Sequence, residues 1–360
     1  MAISSPSQPA IDESRVEEFA GRIVNDLSAA VVSTLASIGD NVGLWGALAG
    51  GGPATSAELA ARTGAVERYV REWCAAMASA GYIEYDPETE RFELPLEHAL
   101  VLVDPSTPAY LGGTVQLTRG MAAAADGVES AFRKGGGVSI DEYDGNFWTG
   151  LERSTGTSFD HGLVQSWVPS IEGLHERLEA GVLVADVGCG TGRALIRLAE
   201  AYPNSRFHGY DVAEAAVEGA RAAVEAAGVD DRVEIRLLDA SAGLPERYDV
   251  ICTFDVVHDA SDPRGVLAAV RGGLKPDGVY VCLEIASEEQ LEDNVGPMAA
   301  LKYGFSVLYC MTTSLAKGGA GLGTCGVPEG RMRELALEAG FTTVRRIAED
   351  PFSNVYEVRP

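Results

Sequence analysis

Along the first hundred residues the hydrophobic positions recur at helical spacing, punctuated by Gly and Pro, before two short alternating pieces follow. Thr55-Ser56-Ala57-Glu58 places a capping Ser/Thr ahead of a short apolar helix ending near Gly64, and a second helix is predicted from Glu67 to Ala80. Tyr82 to Tyr85, the turn Asp86-Pro87-Glu88 and Arg91 to Leu94 then read as a hairpin. Helix, turn, helix and hairpin predict a mostly α winged-helix domain over residues 1–104. Residues 105–180 keep the helical period, carry Phe147, Trp148, Phe159 and Trp167, and break at Gly135-Gly136-Gly137. They are expected to form a helical connector that contributes to an acceptor pocket.

Over residues 181–360 the texture changes. Strands are predicted at 182–187, 206–211, 233–238, 248–255 and 279–285, alternating with helices at 193–201, 213–227 and 265–274. Near-continuous apolar strands separated by helices argue for a parallel, doubly wound α/β sheet covered on both faces. A last helix at 329–339 precedes strands at 342–347 and 354–358, which are placed to close the sheet as a hairpin.

Charge then narrows the partners. The chain holds 28 basic and 53 acidic residues, a net charge of -25, and such a field repels phosphate backbones and anionic lipid headgroups. No apolar run approaches the roughly 18 residues of a membrane helix, so neither nucleic acid nor membrane is an expected partner. In residues 1–104 six Arg and no Lys stand against sixteen acidic residues, so the winged helix lacks the basic footprint of a DNA reader. It is expected instead to mediate homodimerisation. The six cysteines, Cys74, Cys189, Cys252, Cys282, Cys310 and Cys325, contain no C-x-x-C pair, which fits reduced thiols rather than a zinc or disulfide framework. Met1 to Ile11 is Ser/Pro-rich and without Lys or Arg, unlike a secretory signal, and is expected to be the disordered start of a cytoplasmic protein.

The chemistry is concentrated at strand ends. The first strand of the second region runs into Asp186-Val187-Gly188-Cys189-Gly190-Thr191-Gly192 and a helix, where glycines let backbone approach a ligand. A dinucleotide fingerprint would need Gly or Ala at Arg193, so this G-x-G-x-G pattern disfavours NAD. Asp211 ends the second strand, and Asp239-Ala240 the third. Three acids at successive strand ends suit a ligand with a sulfonium, an ammonium, a ribose and an exocyclic amine, and would repel a pyrophosphate. S-adenosylmethionine is such a ligand.

With Val184-Ala185-Asp186-Val187-Gly188-Cys189-Gly190-Thr191-Gly192, Tyr210-Asp211, Leu238-Asp239-Ala240 and Tyr248-Asp249-Val250-Ile251 in order, the chain resembles the class I S-adenosylmethionine-dependent methyltransferases over about residues 180–360. The resemblance implies a Rossmann-like seven-stranded sheet with an antiparallel last strand. It also implies a cofactor seat made by Asp186, Gly188, Gly190, Gly192, Asp211, Val212, Asp239, Ala240 and Phe254, releasing S-adenosylhomocysteine as product.

Phe254-Asp255-Val256-Val257-His258-Asp259-Ala260-Ser261-Asp262 is similar to the His-Asp-Trp-Ser-Asp stretch of plant and polyketide O-methyltransferases, which also carry an N-terminal winged-helix dimerisation domain. That likeness implies His258 as general base and Glu284 as the carboxylate that steadies it, acting on a small-molecule acceptor. Three departures stand out. The second bracketing acid falls on Gly326, the motif's Trp on Ala260, and the pocket's Lys on Phe254. Some relatives that methylate α-keto acids hold a metal with this His-Asp pair plus a later His; no histidine follows His258, so no metal is expected. Met298 to Leu315, with Leu301, Tyr303, Phe305, Leu308, Tyr309 and Met311, is expected to join Trp148 and Trp167 in an apolar, aromatic-lined cavity, with the Gly-rich 317–324 loop as its lid. A regulator that senses S-adenosylmethionine, or a cyclase-like enzyme that uses the sulfonium only electrostatically, are the rival readings.

Overall fold

A computed structural model of the chain describes residues 11–360; the expected disordered start lies, Ile11 apart, outside the described residues. The chain divides after Asp104 into two compact units.

The first unit opens with the helix Glu13–Val42, capped by the Asp12 carboxylate on the Ser14 and Arg15 amides and stopped by Gly43 in the left-handed region (φ 81°). Helices Leu44–Gly51, Ser56–Thr63 and Glu67–Ser79 follow, the second of these started by a Thr55/Glu58 capping box. β1 (Glu84–Asp86) and β2 (Arg91–Glu93) pair antiparallel as the wing. Two indole N–H groups tie the long helix down: Trp45 donates to the Ala36 carbonyl (2.8 Å) and Trp73 to that of Leu35 (2.9 Å). Those rings, with Leu48, Leu59, Val70 and Met77, are the buried core.

The second unit, from Pro105, joins the helical segment and the sheet in one body. Its strands are β3 (Leu183–Val187), β4 (Arg206–Asp211), β5 (Val233–Leu237), β6 (Tyr248–Phe254), β7 (Leu274–Ile285), β8 (Thr343–Glu349) and β9 (Ser353–Arg359). They stand in the order β5-β4-β3-β6-β7-β9-β8, with β9 antiparallel to both its neighbours. Alternate residues sort to two cores: Val184, Phe207, Val250, Cys252 and Val281 pack under Leu195, Leu198 and Trp167, while Ala185, Val187, Ile251 and Tyr280 pack under Leu267, Val270, Met332 and Leu335. The chain reverses direction across the sheet between β3 and β6, which opens a crevice at their carboxyl ends. β7 begins earlier than the pattern implied, at Leu274, because a register shift opposite Tyr248 to Val250 lets Leu274 pair before the apolar run starts.

Two helices bear on that crevice and both contain a π-helical stretch. Gly145–Ser158 continues into the π segment Phe159–Trp167. Pro297–Phe305 continues through the π segment Ser306–Cys310 into Met311–Ala316.

Candidate active site

At the end of β3 the chain turns through Gly188 (φ 75°), Gly190 (φ 51°) and Gly192 (φ 78°), all left-handed. The Gly188 and Cys189 amides donate to the Tyr210 carbonyl of β4 at 2.7 and 3.0 Å, which folds the loop against the neighbouring strand end. Asp211 then takes the Gly190 amide on one carboxylate oxygen and the Ala213 amide on the other, each at 2.9 Å. Each of those oxygens keeps a lone pair for further donors. Asp186, Gly188, Gly190, Gly192 and Asp211 are thus brought together.

Asp186 is buried, and one of its oxygens has no hydrogen-bond partner. Burial, and secondarily the Asp211 carboxylate, push its carboxyl well above the usual range. A buried orphan acceptor beside an open glycine loop calls for a cationic donor. The ammonium of S-adenosylmethionine would fit that requirement, and a phosphate-like anion would not. Val212, next along, is exposed, and Ala240 is buried at the end of β5. Asp239 caps its own turn through the Ser241 amide (3.0 Å) and hydroxyl (2.7 Å), and the Leu238 amide links this strand end to the Asp211 carbonyl. Phe254 lies on the same face of the sheet as Asp186, packed at 5.1 Å from Phe159 and 6.0 Å from Trp167. An aromatic wall therefore stands where the family pattern has a Lys.

His258 is buried on the loop after β6. Its Nδ1 lies 2.7 Å from Glu284 Oε2, and the other oxygen of Glu284 accepts the Val257 amide at 2.8 Å. The glutamate thereby fixes both the ring and the loop that carries it. Its Nε2 lies 3.1 Å from Asp259 Oδ1. Burial alone would lower the imidazole pKa, but the Asp259 and Glu284 carboxylates outweigh it and hold the ring well above its ordinary value. Asp255, at the strand end just before, has a left-handed backbone (φ 58°), and burial pushes its carboxyl up to about 7.

The sequence reading missed Cys310. The π segment brings its thiol beside His258 and Asp259, so that one donor atom from each of the three lies within 4.8 Å of the others. Gly326, where the family's second acid would stand, has no room for any side chain, because an added Cβ would run into the Leu322 carbonyl. The apolar periodicity of 298–315 hid the thiol, since a Cys in such a stretch reads as core.

Beyond His258 stand Tyr143, Phe147 and Tyr309, with ring centroids 4.4 to 5.6 Å apart and the Tyr143 hydroxyl donating to the Leu308 carbonyl (2.6 Å). Tyr309 feels Asp259 and Cys310, after burial, in its raised phenol pKa, which places this aromatic group next to the His258 cluster. Trp148 and Trp167 are not brought together: Trp148 is 40% exposed against Phe147, whereas Trp167 is buried beside Phe254. The 317–324 loop, expected as a lid, is packed down. The Ala320 amide donates to the Ser261 carbonyl (2.9 Å), the Gly321 amide to the Ser314 hydroxyl (3.1 Å), and Gly319 sits against the Ser261 backbone with no space for a Cβ.

Comparison with known proteins agrees with this layout. Residues 30–104 match the family model described as Rv2258c-like winged HTH domain, and residues 185–280 that described as Methyltransferase domain. The ubiquinone biosynthesis O-methyltransferase of Ruegeria pomeroyi is 33% identical over 110 residues, 31% of this chain and 44% of that protein. The chain spans less than half the length of this relative. The mitomycin 7-O-methyltransferase MmcR shares the fold with a TM-score of 0.70 at 19% identity, over 96% of this chain and 100% of that one. Human N-acetylserotonin methyltransferase, solved in complex with SAM, gives 0.66 at 18%, over 98% and 99%. The chain carries a methyltransferase domain behind a winged helix-turn-helix domain.

Proposed function

We propose that this protein is an S-adenosylmethionine-dependent methyltransferase that methylates an oxygen of a small, apolar or aromatic metabolite, and that it works as a homodimer. The observation that carries this reading is the cradle at the end of β3: a left-handed glycine loop held by Asp211 beside the buried, unpartnered oxygen of Asp186. S-adenosylmethionine supplies an electrophilic methyl group on a sulfonium. The remaining lone pairs of Asp211 would accept the ribose hydroxyls, Val212 and Ala240 would flank the adenine with Asp239 at its edge, and Asp186 would face the cationic end. Phe254, Phe159 and Trp167, packed together, would keep water from that pocket. Two of the similar proteins are O-methyltransferases, which supports oxygen as the attacked atom.

His258 activates the acceptor oxygen. Glu284 fixes the ring through Nδ1, so Nε2 is the atom left to meet the acceptor hydroxyl and orient it for attack. Methyl transfer would give the acceptor an O–CH₃ bond in place of the S–CH₃ bond and release its hydroxyl proton. Tyr143, Phe147 and Tyr309 form the apolar wall that holds a planar or hydrophobic acceptor against this group.

Calorimetry with S-adenosylhomocysteine tests the cofactor half. Micromolar binding that Asp211→Ala weakens by at least about tenfold is expected, that being the loss of a bidentate acceptor; unchanged affinity in the variant sinks the assignment. An acceptor screen scored by S-adenosylhomocysteine release tests the rest. His258→Ala should abolish release in that screen while leaving cofactor binding intact.

A further inference from the structure

We propose that His258 Nε2, the Asp259 carboxylate and the Cys310 thiolate form a site for one divalent metal ion, zinc by the chemistry of the set, with an open position toward the acceptor. The role of the ion rests on the methyl-transfer reading above; the site itself does not. The three donor atoms lie within 4.8 Å of one another, and the nitrogen and carboxylate oxygen are already 3.1 Å apart. Bonds of about 2.0 to 2.3 Å in tetrahedral geometry put donors roughly 3.2 to 3.7 Å from each other, so the triad would draw together slightly to close on an ion.

The surroundings are those of a ligating histidine. Metal-bound imidazoles nearly always give their second N–H to a carboxylate, which fixes the tautomer and ring plane. Glu284 does this to Nδ1 at 2.7 Å, and it is itself anchored by the Val257 amide at 2.8 Å. Nε2 stands 3.1 Å from Asp259 Oδ1, a buried oxygen without a hydrogen-bond partner. A cation bound between the two would give that oxygen a partner. The third donor reaches the same point because the π segment Ser306–Cys310 widens the helix there, and such insertions recur at functional sites. In this set a thiolate stands in place of a third histidine.

Imidazole, thiolate and carboxylate together select zinc, or ferrous iron, over magnesium and calcium, which take oxygen ligands. Three protein ligands leave a fourth position free, as in catalytic zinc sites. The Asp259 side chain is 25% exposed, so that position opens on the side lined by Tyr143 and Tyr309. There the ion would coordinate the acceptor's oxygen and lower the pKa of its hydroxyl. The hydroxyl proton then goes to solvent rather than to His258, the O–CH₃ bond forms as the S–CH₃ bond breaks, and the ether and S-adenosylhomocysteine leave.

Cobalt(II) and zinc, added alone to the full chain after chelator dialysis, test the site. One equivalent per chain is expected, with a thiolate-to-cobalt charge-transfer band in the near ultraviolet. Cys310→Ala should abolish that band, and Asp259→Asn should weaken zinc binding on the order of a hundredfold, comparable with the upper range for groups that support a metal site. S-adenosylhomocysteine calorimetry should be unchanged in both variants, which also certifies their folding; were Cys310→Ala to unfold, the Asp259→Asn titration decides alone. Stripped wild-type protein that takes up no metal at micromolar concentration, or a band that survives Cys310→Ala, overturns the site. Loss of cofactor binding in the wild type would instead count against the methyltransferase reading and leave the metal measurement standing.

Discussion

Gly188 and Gly190 sit two residues apart in the cofactor loop and answer to different constraints. A Cβ on Gly188 would lie 2.5 Å from Val256 Cγ2, whereas one on Gly190 meets nothing within 4 Å and projects into space left for ligand. Both backbones are left-handed, which costs a non-glycine residue about 1 to 2 kcal/mol. Gly190→Ala should therefore melt within about 5 °C of wild type while losing at least about tenfold in S-adenosylhomocysteine affinity. Gly188→Ala should lose both stability and binding, since Val256 leads into the His258 loop. Melting curves and calorimetry on the pair separate the two. This loop was legible in the sequence because its glycines and acids are neighbours in a local motif. Cys310 was not, because only tertiary packing brings it to His258. Asp160 shows a purely structural counterpart on the same face. Burial pushes its carboxyl up, and hydrogen bonds from Arg193 and Arg197 more than offset this and hold it below its usual range. A depressed folded pKa contributes stability above the unfolded value, near 3.9, and loses it as pH falls through the folded one. The melting difference between wild type and Asp160→Asn should accordingly be full at neutral pH and shrink below about pH 4.

At the scale of elements, the helical segments that frame the crevice were foreseen by their apolar spacing, yet their π stretches were not. A π insertion adds one residue without changing local composition, so periodicity over a dozen positions still reads as an ordinary helix. Its effect is geometric. Removing one residue from Ser306–Cys310, for example Val307, would restore α spacing and swing Cys310 and everything after it by about 100° about the axis. The expected outcome is an intact cofactor site with methyl transfer reduced at least on the order of a hundredfold, through misplacement at the reaction centre. Retained turnover in the deletion would show that the π turn is incidental. The Gly-rich loop gave the opposite lesson. Its composition suggested freedom, while Gly319 is demanded by close approach to the Ser261 backbone beside the His258 motif. Gly319→Ala should thus lower the melting temperature rather than alter acceptor range.

For the molecule as a whole, a long exposed apolar stripe lies on the first helix. Val16, Phe19, Ile23, Val24, Leu27 and Val31 recur at helical spacing along one stripe of Glu13–Val42, with Phe19 60% and Leu27 62% exposed. A run of that length and regularity seeks a partner surface. No single helix among the described residues is long and apolar enough to cross a membrane, and Arg15, Glu17, Glu18, Arg22 and Asp26 interrupt this one. A second copy of the same helix, antiparallel or crossed, offers a complementary stripe. Charge then fixes how such a dimer responds to salt. Two chains of -25 each repel, and the first hundred residues are themselves acidic, so the association has to be apolar in origin and opposed by Coulomb forces. Screening weakens that opposition, and the dimer should tighten as ionic strength rises, contrary to an interface held by ion pairs. Phe19→Glu with Leu27→Glu should yield monomers across the same salt series with the melting of the second unit unchanged. Light scattering coupled to size exclusion reads both; a wild-type monomer at tens of micromolar, or a dimer that loosens with salt, would refute the helix-stripe assignment.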